Sequence, residues 1–175
     1  MSAVATSKMP IMPMTRRTLL FSAAAAVAAG LSIPLLRRGG VAGTGETFEV
    51  TMTDAEWRKR LTERQYAVLR HESTEPPFSS DLLEEKRTGV YACAGCDLDL
   101  YPSKTKFDSG TGWPSFWEAL PDAVQTRSDY SLLLPRTELH CRRCGGHLGH
   151  VFDDGPPPTG KRHCINGVAL RFREA

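Results

Sequence analysis

From Glu46 onward the hydrophobic positions follow three different patterns. In "TDAEWRKRLTERQYAVLR", Trp57, Leu61 and Val68 recur on one face at helical spacing. Thr53 and Glu56 form a capping box at its start, so the pattern predicts a helix over this stretch. "HESTEPPFSSDLLEEKRTG" scatters its apolar residues around Pro76 and Pro77, which predicts an irregular segment with a short helix near Asp81 to Lys86. From Gly89 the short runs "VYAC", "SLLLP" and "VALRF" alternate with the turn-rich pieces "DSGTGWPS", "RRCGGHLG" and "DDGPPPTG". That alternation is the mark of short antiparallel strands joined by loops. The fold class it predicts is mainly β with an N-terminal helical flank.

Charge divides the 175 residues in two. The first 45 hold Lys8, Arg16, Arg17, Arg37 and Arg38 and no acid, which leaves 17 basic against 20 acidic residues, a net of −3, in 46–175. A body with that balance has no electrostatic basis for binding nucleic acid. Residues 1–45 read as a leader and 46–175 as one domain. Arg16-Arg17, followed by "TLLFSAAAAVAAGLSIPLL", resembles a twin-arginine export signal, and it predicts an exported, periplasmic or extracytoplasmic protein. A retained membrane anchor is the alternative, weakened by the many alanines, Gly30 and Pro34.

Four of the five cysteines stand in two C-x-x-C units, Cys93/Cys96 and Cys141/Cys144. Two residues between thiolates let one tight turn aim both sulfurs at a cation, and Gly95 and Gly145-Gly146 suit such turns. Two units complete a Cys₄ zinc site with no open coordination position, hence structural, joining two separate parts of the fold. Disulfides are the competing reading in an exported protein. Export of a domain already folded in the reducing cytosol favours zinc.

The fifth, Cys164, follows Lys161, Arg162 and His163 and precedes Asn166. Positive charge beside a thiol lowers its pKa, which predicts a reactive thiolate rather than a small buried hydrophobe. His147 and His150 lie in a glycine-rich segment and suit acid–base work beside that thiol. Trp113, Phe116 and Trp117 form an aromatic cluster that either joins the core or lines a pocket.

"CAGC", "TKFDSGTGWPSFW" and "CRRCGGHLGHVFDDGPPPTGKRHCINGVALRF" together resemble the B-type methionine-R-sulfoxide reductases, over Asp54 to Phe172. The resemblance implies two antiparallel sheets with a zinc site distant from the reacting thiol. It implies reduction of the R epimer of methionine sulfoxide in oxidised proteins, with Cys164 attacking the sulfoxide sulfur and becoming a sulfenic acid. It gives His147 and His150 the substrate oxygen and proton transfer, and has Asn166 and Arg162 shape the thiolate site. Trp113 receives the substrate methyl group, Phe152 adds to that wall, and Asp154 orients the histidines. Many members carry a resolving cysteine where this chain has Thr111, so a thioredoxin-like or other thiol reductant is expected to meet the sulfenic acid directly. Two other readings compete: a zinc-stabilised peptide-binding module, and a metal chaperone or sensor. Neither explains Cys164 together with both histidines and one metal.

Overall fold

The computed structural model describes residues 46–132 and 134–175; the expected leader lies outside them. The helical stretch is two helices, α1 (Asp54–Arg60) and α2 (Glu63–His71), not one. Thr53 and Glu56 cap α1 as the pattern predicts. Leu61 then turns extended (φ −106°, ψ 148°), and Thr62 with Gln65 forms a second capping box that starts α2. Two reciprocal caps satisfy the amide groups left free by the break, so the interruption costs little. Trp57, Leu61 and Val68 are all buried, as their spacing requires. The short helix expected near Asp81 is a single 3-10 turn, Asp81–Leu83, with Ser80 Oγ accepting from the amide of Leu82.

Among the described residues nine strands follow, all paired antiparallel. They are β1 (Gly89–Cys93), β2 (Asp99–Pro102), β3 (Lys106–Phe107), β4 (Ser115–Phe116) and β5 (Val124–Asp129), then β6 (Arg136–Cys141), β7 (His147–Phe152), β8 (Arg162–Ile165) and β9 (Leu170–Glu174). One sheet has the order β2-β1-β9 and the other β3-β4-β8-β7-β6-β5. The expected mainly β fold of two antiparallel sheets with a helical flank is the one observed.

Tyr91, Leu100, Tyr101, Phe116, Leu139, Leu148 and Ile165 are fully buried and form the core. Tyr101 stacks on Phe116 with centroids 4.4 Å apart, while Tyr91 meets Phe116 edge-on. Phe116 thus belongs to the core, as one reading of the aromatic cluster had it.

One predicted strand is absent among the described residues. "SLLLP" belongs to the connection between β5 and β6, where Leu132 and Leu134 are exposed. The strands are its more polar neighbours, which pair with each other along their whole length, Val124 opposite Cys141 to Asp129 opposite Arg136. Partnering outweighed apolar content here, since a strand's stability comes from what it pairs and packs against.

Candidate active site

Cys164 lies at the centre of β8, between β4 and β7, opposite Ser115 on one side and His150 on the other. Side chains alternate along a strand, so Arg162 and Cys164 share a face while His163 and Ile165 take the other. The three basic neighbours therefore part company. Lys161 is exposed and pairs with Asp153. His163 turns inward to Tyr101, 3.1 Å from its hydroxyl, and burial pushes it down to about 4, so it is neutral. Only Arg162 stays with the thiol.

The thiol is half-buried. Burial raises its pKa; the charge of Arg162 and hydrogen bonding from Thr111 and Arg162 pull it back without cancelling the rise. The depressed pKa expected from the basic run is thus not found, because two of its three charges are spent elsewhere. A thiolate formed with a higher pKa is the stronger nucleophile once formed. Thr111 stands next to Cys164 in a chain of hydroxyls: its Oγ1 lies 2.8 Å from Ser109 Oγ, which is 2.7 Å from Ser115 Oγ.

His147 and His150 come together through an irregularity in β7. His140 pairs with His147 and Leu139 with Gly149, so Leu148 is an extra residue. Three residues apart on a regular strand would face opposite ways; the bulge re-aims them. Their rings lie 5.4 Å apart. His147 Nδ1 is 2.6 Å from Glu138, which also takes the Arg127 guanidinium, and His150 Nε2 is 2.7 Å from Asp129. Burial alone would raise Glu138, but bonds from His147 and Arg127 hold it below the ordinary carboxylate value. Hydrogen bonds from Ser131, His150 and Arg136 hold Asp129 low, while burial pulls His150 down.

Asp154 does not orient either histidine. It grips Arg162 at 2.9 and 2.8 Å, and the guanidinium lies 4.5 Å over the ring of Phe152. Orientation of the histidines falls to Glu138 and Asp129, which the sequence reading missed. Neither left a signal in the sequence: Glu138 stands in the polar run "RTELHC" and Asp129 in "VQTRSD".

A cavity of about 130 Å³ opens over the thiol. Trp113 and Phe152 form its apolar wall, and His150, Asn166 and Cys164 its polar one, with Arg136 and Thr74 at the rim. A cavity of about 150 Å³ takes one benzene, so this one has room for a single side chain. His147 stands behind His150; it is buried, and its Nε2 has no partner among the described residues.

Glu75, in the segment read as irregular, sets two of these walls. Its carbonyl accepts from Trp113 Nε1 (3.0 Å), and its amide donates to Asn166 Oδ1 (2.9 Å). Its buried carboxylate accepts from the amides of Gly167 and Val168. Gly149 admits no side chain: a Cβ there would meet the Cys164 carbonyl oxygen at 1.9 Å.

Away from the cavity, the cysteine pairs sit on two alike hairpin turns. In the β1–β2 turn the amide of Asp97 returns to the Cys93 carbonyl (2.9 Å), and in the β6–β7 turn that of Gly145 returns to Cys141 (2.8 Å). Asp97 and Gly145 hold the left-handed positions (φ 59° and 65°), so Gly95 is not the residue that makes its turn. The four sulfurs all lie within 4.8 Å of one another, Cys93 to Cys144 at 3.8 Å and Cys96 to Cys141 at 3.5 Å. They could hold a metal ion, and they join the small sheet to the large one. Four buried thiols so crowded cannot all ionise without a cation among them. Leu69 of α2 packs over the turns at Gly95 and Gly146, and Arg60 and Arg70 donate to the carbonyls of Gly95 and Cys144 (2.6 and 3.0 Å).

A half-buried thiol flanked by a guanidinium and a hydroxyl, facing an aromatic wall and a carboxylate-held histidine, defines a thiol-based enzyme site on a β fold. The chain belongs to the SelR domain family, which matches residues 61–174. It is 52% identical over 134 residues to a peptide methionine sulfoxide reductase MsrB of Leifsonia xyli, covering 75% of this chain and 96% of that protein. It is 54% identical over 125 residues to the MsrB of Methanosarcina barkeri, covering 71% and 88%. It is also 49% identical over 128 residues to the chloroplastic peptide methionine sulfoxide reductase B1 of Oryza sativa, covering 73% of this chain and 60% of that protein.

Proposed function

We propose that this chain reduces methionine sulfoxide, as the R epimer in oxidised proteins, to methionine through a sulfenic acid on Cys164. The observation that carries the reading is the thiol in a cavity for one side chain, walled by Trp113 and Phe152. The epimer rests on the likeness to the B-type reductases. The Cys164 thiolate attacks the sulfoxide sulfur, and His150, in the cavity wall, brings a proton to the departing oxygen. In total a thiol and a sulfoxide give a sulfenic acid and a thioether: the oxygen passes to Cys164, which is oxidised by two electrons. Arg162, held by Asp154, stabilises the thiolate, and Asn166 and Phe152 complete the walls around it. His147, backed by Glu138, supports His150 from behind.

One thiol of an outside reductant then condenses with the sulfenic acid, releasing water, and a second thiol frees Cys164. The reductant is of the thioredoxin-like or another thiol class. Four cysteines are grouped 3.5–4.8 Å apart in the cluster, and Thr111 occupies the place beside Cys164 where an internal partner would stand. Zinc suits the cluster: a tetrahedron with Zn–S bonds of about 2.3 Å has edges of about 3.8 Å, close to the sulfur spacings. With four protein ligands it would brace the two sheets and take no part in the chemistry.

The Arg16-Arg17 leader supports export of the folded domain to an extracytoplasmic compartment. Among the described residues no helix is long and apolar enough to cross a membrane. The deciding experiment is turnover of each epimer of a methionine sulfoxide peptide with dithiothreitol as donor. Cys164→Ser should lose all turnover while keeping its fold and metal content, and substantial residual reduction by that variant overturns the assignment.

A further inference from the structure

The large hydrophobic side chains most open to solvent among the described residues are Phe78 (72%), Tyr130 (76%), Leu132 (59%) and Leu134 (76%). Single exposed apolar residues are ordinary on a protein surface. These four are not scattered: Phe78 belongs to the segment that carries Thr74, and Tyr130, Leu132 and Leu134 to the one that ends at Arg136, and Thr74 and Arg136 both line the reaction cavity. Phe78 follows Thr74 of the rim and Glu75, which fixes Trp113, and its amide donates to the Gly112 carbonyl (2.7 Å) beside that tryptophan. Tyr130, Leu132 and Leu134 lie on the β5–β6 connection. Its two ends, Asp129 and Arg136, are bonded to each other (2.7 Å); Asp129 holds His150, and Arg136 lines the cavity.

Phe78 also occupies a backbone conformation that a bulky residue rarely adopts, with φ 61°. Glycine adopts that conformation without a steric penalty and would relieve the strain. The Phe78 ring is exposed and not part of the core. It stands in the wall of a groove of about 470 Å³ that shares Trp113 with the reaction cavity and continues along Phe107 and Pro114. Glu84, Glu85, Lys86 and Arg87 border this groove with both signs of charge, so it makes no selection by charge.

We infer that this apolar rim docks the polypeptide on either side of the oxidised methionine, and that it selects an extended segment with apolar neighbours. The inference rests on the reduction proposed above and names the substrate that site takes. The cavity holds one side chain, so the substrate's backbone and flanking residues must lie outside it, where the exposed groups are. Methionine resides mostly in protein interiors, among apolar residues. A sulfoxide there reaches an enzyme only when its segment is unfolded, and it then presents apolar flanks.

The test compares three substrates: a peptide with leucines on both sides of the methionine sulfoxide, the same peptide with serines there, and free methionine sulfoxide. Wild type should favour the leucine-flanked peptide over the serine-flanked one by about tenfold in kcat/KM, equivalent to about 1.4 kcal/mol. Phe78→Gly and the double change Leu132→Ser/Leu134→Ser should each remove most of that preference, mainly through KM. Both should leave turnover of free methionine sulfoxide unchanged, and their melting temperatures should not fall, since the side chains are exposed and glycine suits the backbone at 78. Loss of turnover on all three substrates alike, or retention of the preference by both variants, overturns the docking surface. Sedimentation gives a further arm: variants that abolish self-association yet keep wild-type kinetics show that the rim covers a second copy, and the inference falls. If wild type reduces none of the three, the proposed reaction itself fails, which is distinct from reduction without flank preference.

Discussion

Replacing Arg162 with methionine separates the charge on the thiol from the shape around it. The side chain is 10% exposed and methionine keeps much of its stem against Phe152, while Asp154, its partner, is 62% exposed and tolerates being left alone. What is lost is a positive charge against Cys164. An adjacent opposite charge lowers a pKa by about one to three units, and Arg162 is the main group opposing the rise caused by burial. The variant's thiol should therefore titrate higher than the wild-type thiol. Each unit leaves tenfold less thiolate near neutral pH but makes it about threefold more nucleophilic, so the net loss is roughly threefold per unit. Single-turnover release of methionine at pH 7 should fall about three- to tenfold. The deficit should shrink as pH rises, vanish between the two pKa values and reverse above the variant's, because there both proteins are fully thiolate and the variant's thiolate is the stronger nucleophile. The assay is kcat/KM for a sulfoxide peptide against pH, which reports the free enzyme, checked by the pH dependence of Cys164 alkylation. A rate lowered by one factor at every pH, with the alkaline limb unmoved, refutes the charge argument and makes Arg162 a packing residue.

Three further outcomes follow from the geometry. Glu138→Gln removes the charge that pairs with both His147 and Arg127 inside the protein, and should cost about 3 kcal/mol of stability, read by denaturant titration; a loss below about 0.5 kcal/mol would mean the pair contributes little net. Thr111→Cys should form a disulfide with Cys164 after one turnover, whereas wild type should release about one methionine per chain and carry only a sulfenic acid; mass spectrometry showing a bond between Cys164 and any clustered cysteine refutes the one-thiol cycle. Cys141→Ser should lower metal content and melting temperature together, because the cluster spans both sheets; unchanged stability with no metal bound would remove the structural role.

The sequence by itself determined the class of fold, the metal-type cysteine cluster and the identity of the odd thiol. Those features are local. A capping box, a C-x-x-C turn and an alternation of apolar runs with turn residues each act within a few positions, and "CRRCGGHLGH" holds most of its meaning in ten residues. The same local reading could have found the second capping box at Thr62 and Gln65, whose signature is equally plain.

What only the tertiary structure decided depends on facing and pairing. Strand alternation sent His163 inward and left Arg162 alone with the thiol, so three charges in sequence became one in space. A bulge at Leu148 brought together two histidines that a regular strand would have parted. Glu138 and Asp129 reach them from strands β6 and β5, and Asp154, nearer in sequence, bonds Arg162 instead. "SLLLP" lost its place in a sheet because the polar strands on either side of it found each other as partners. Glu75 stands in a stretch with no periodicity at all, yet its backbone holds Trp113 and Asn166. The Glu75 contacts span 38 and 91 residues and the histidine–carboxylate contacts 9 and 21, and no local preference records them: the assembled sheets fix which groups meet, and so which carboxylate serves which histidine.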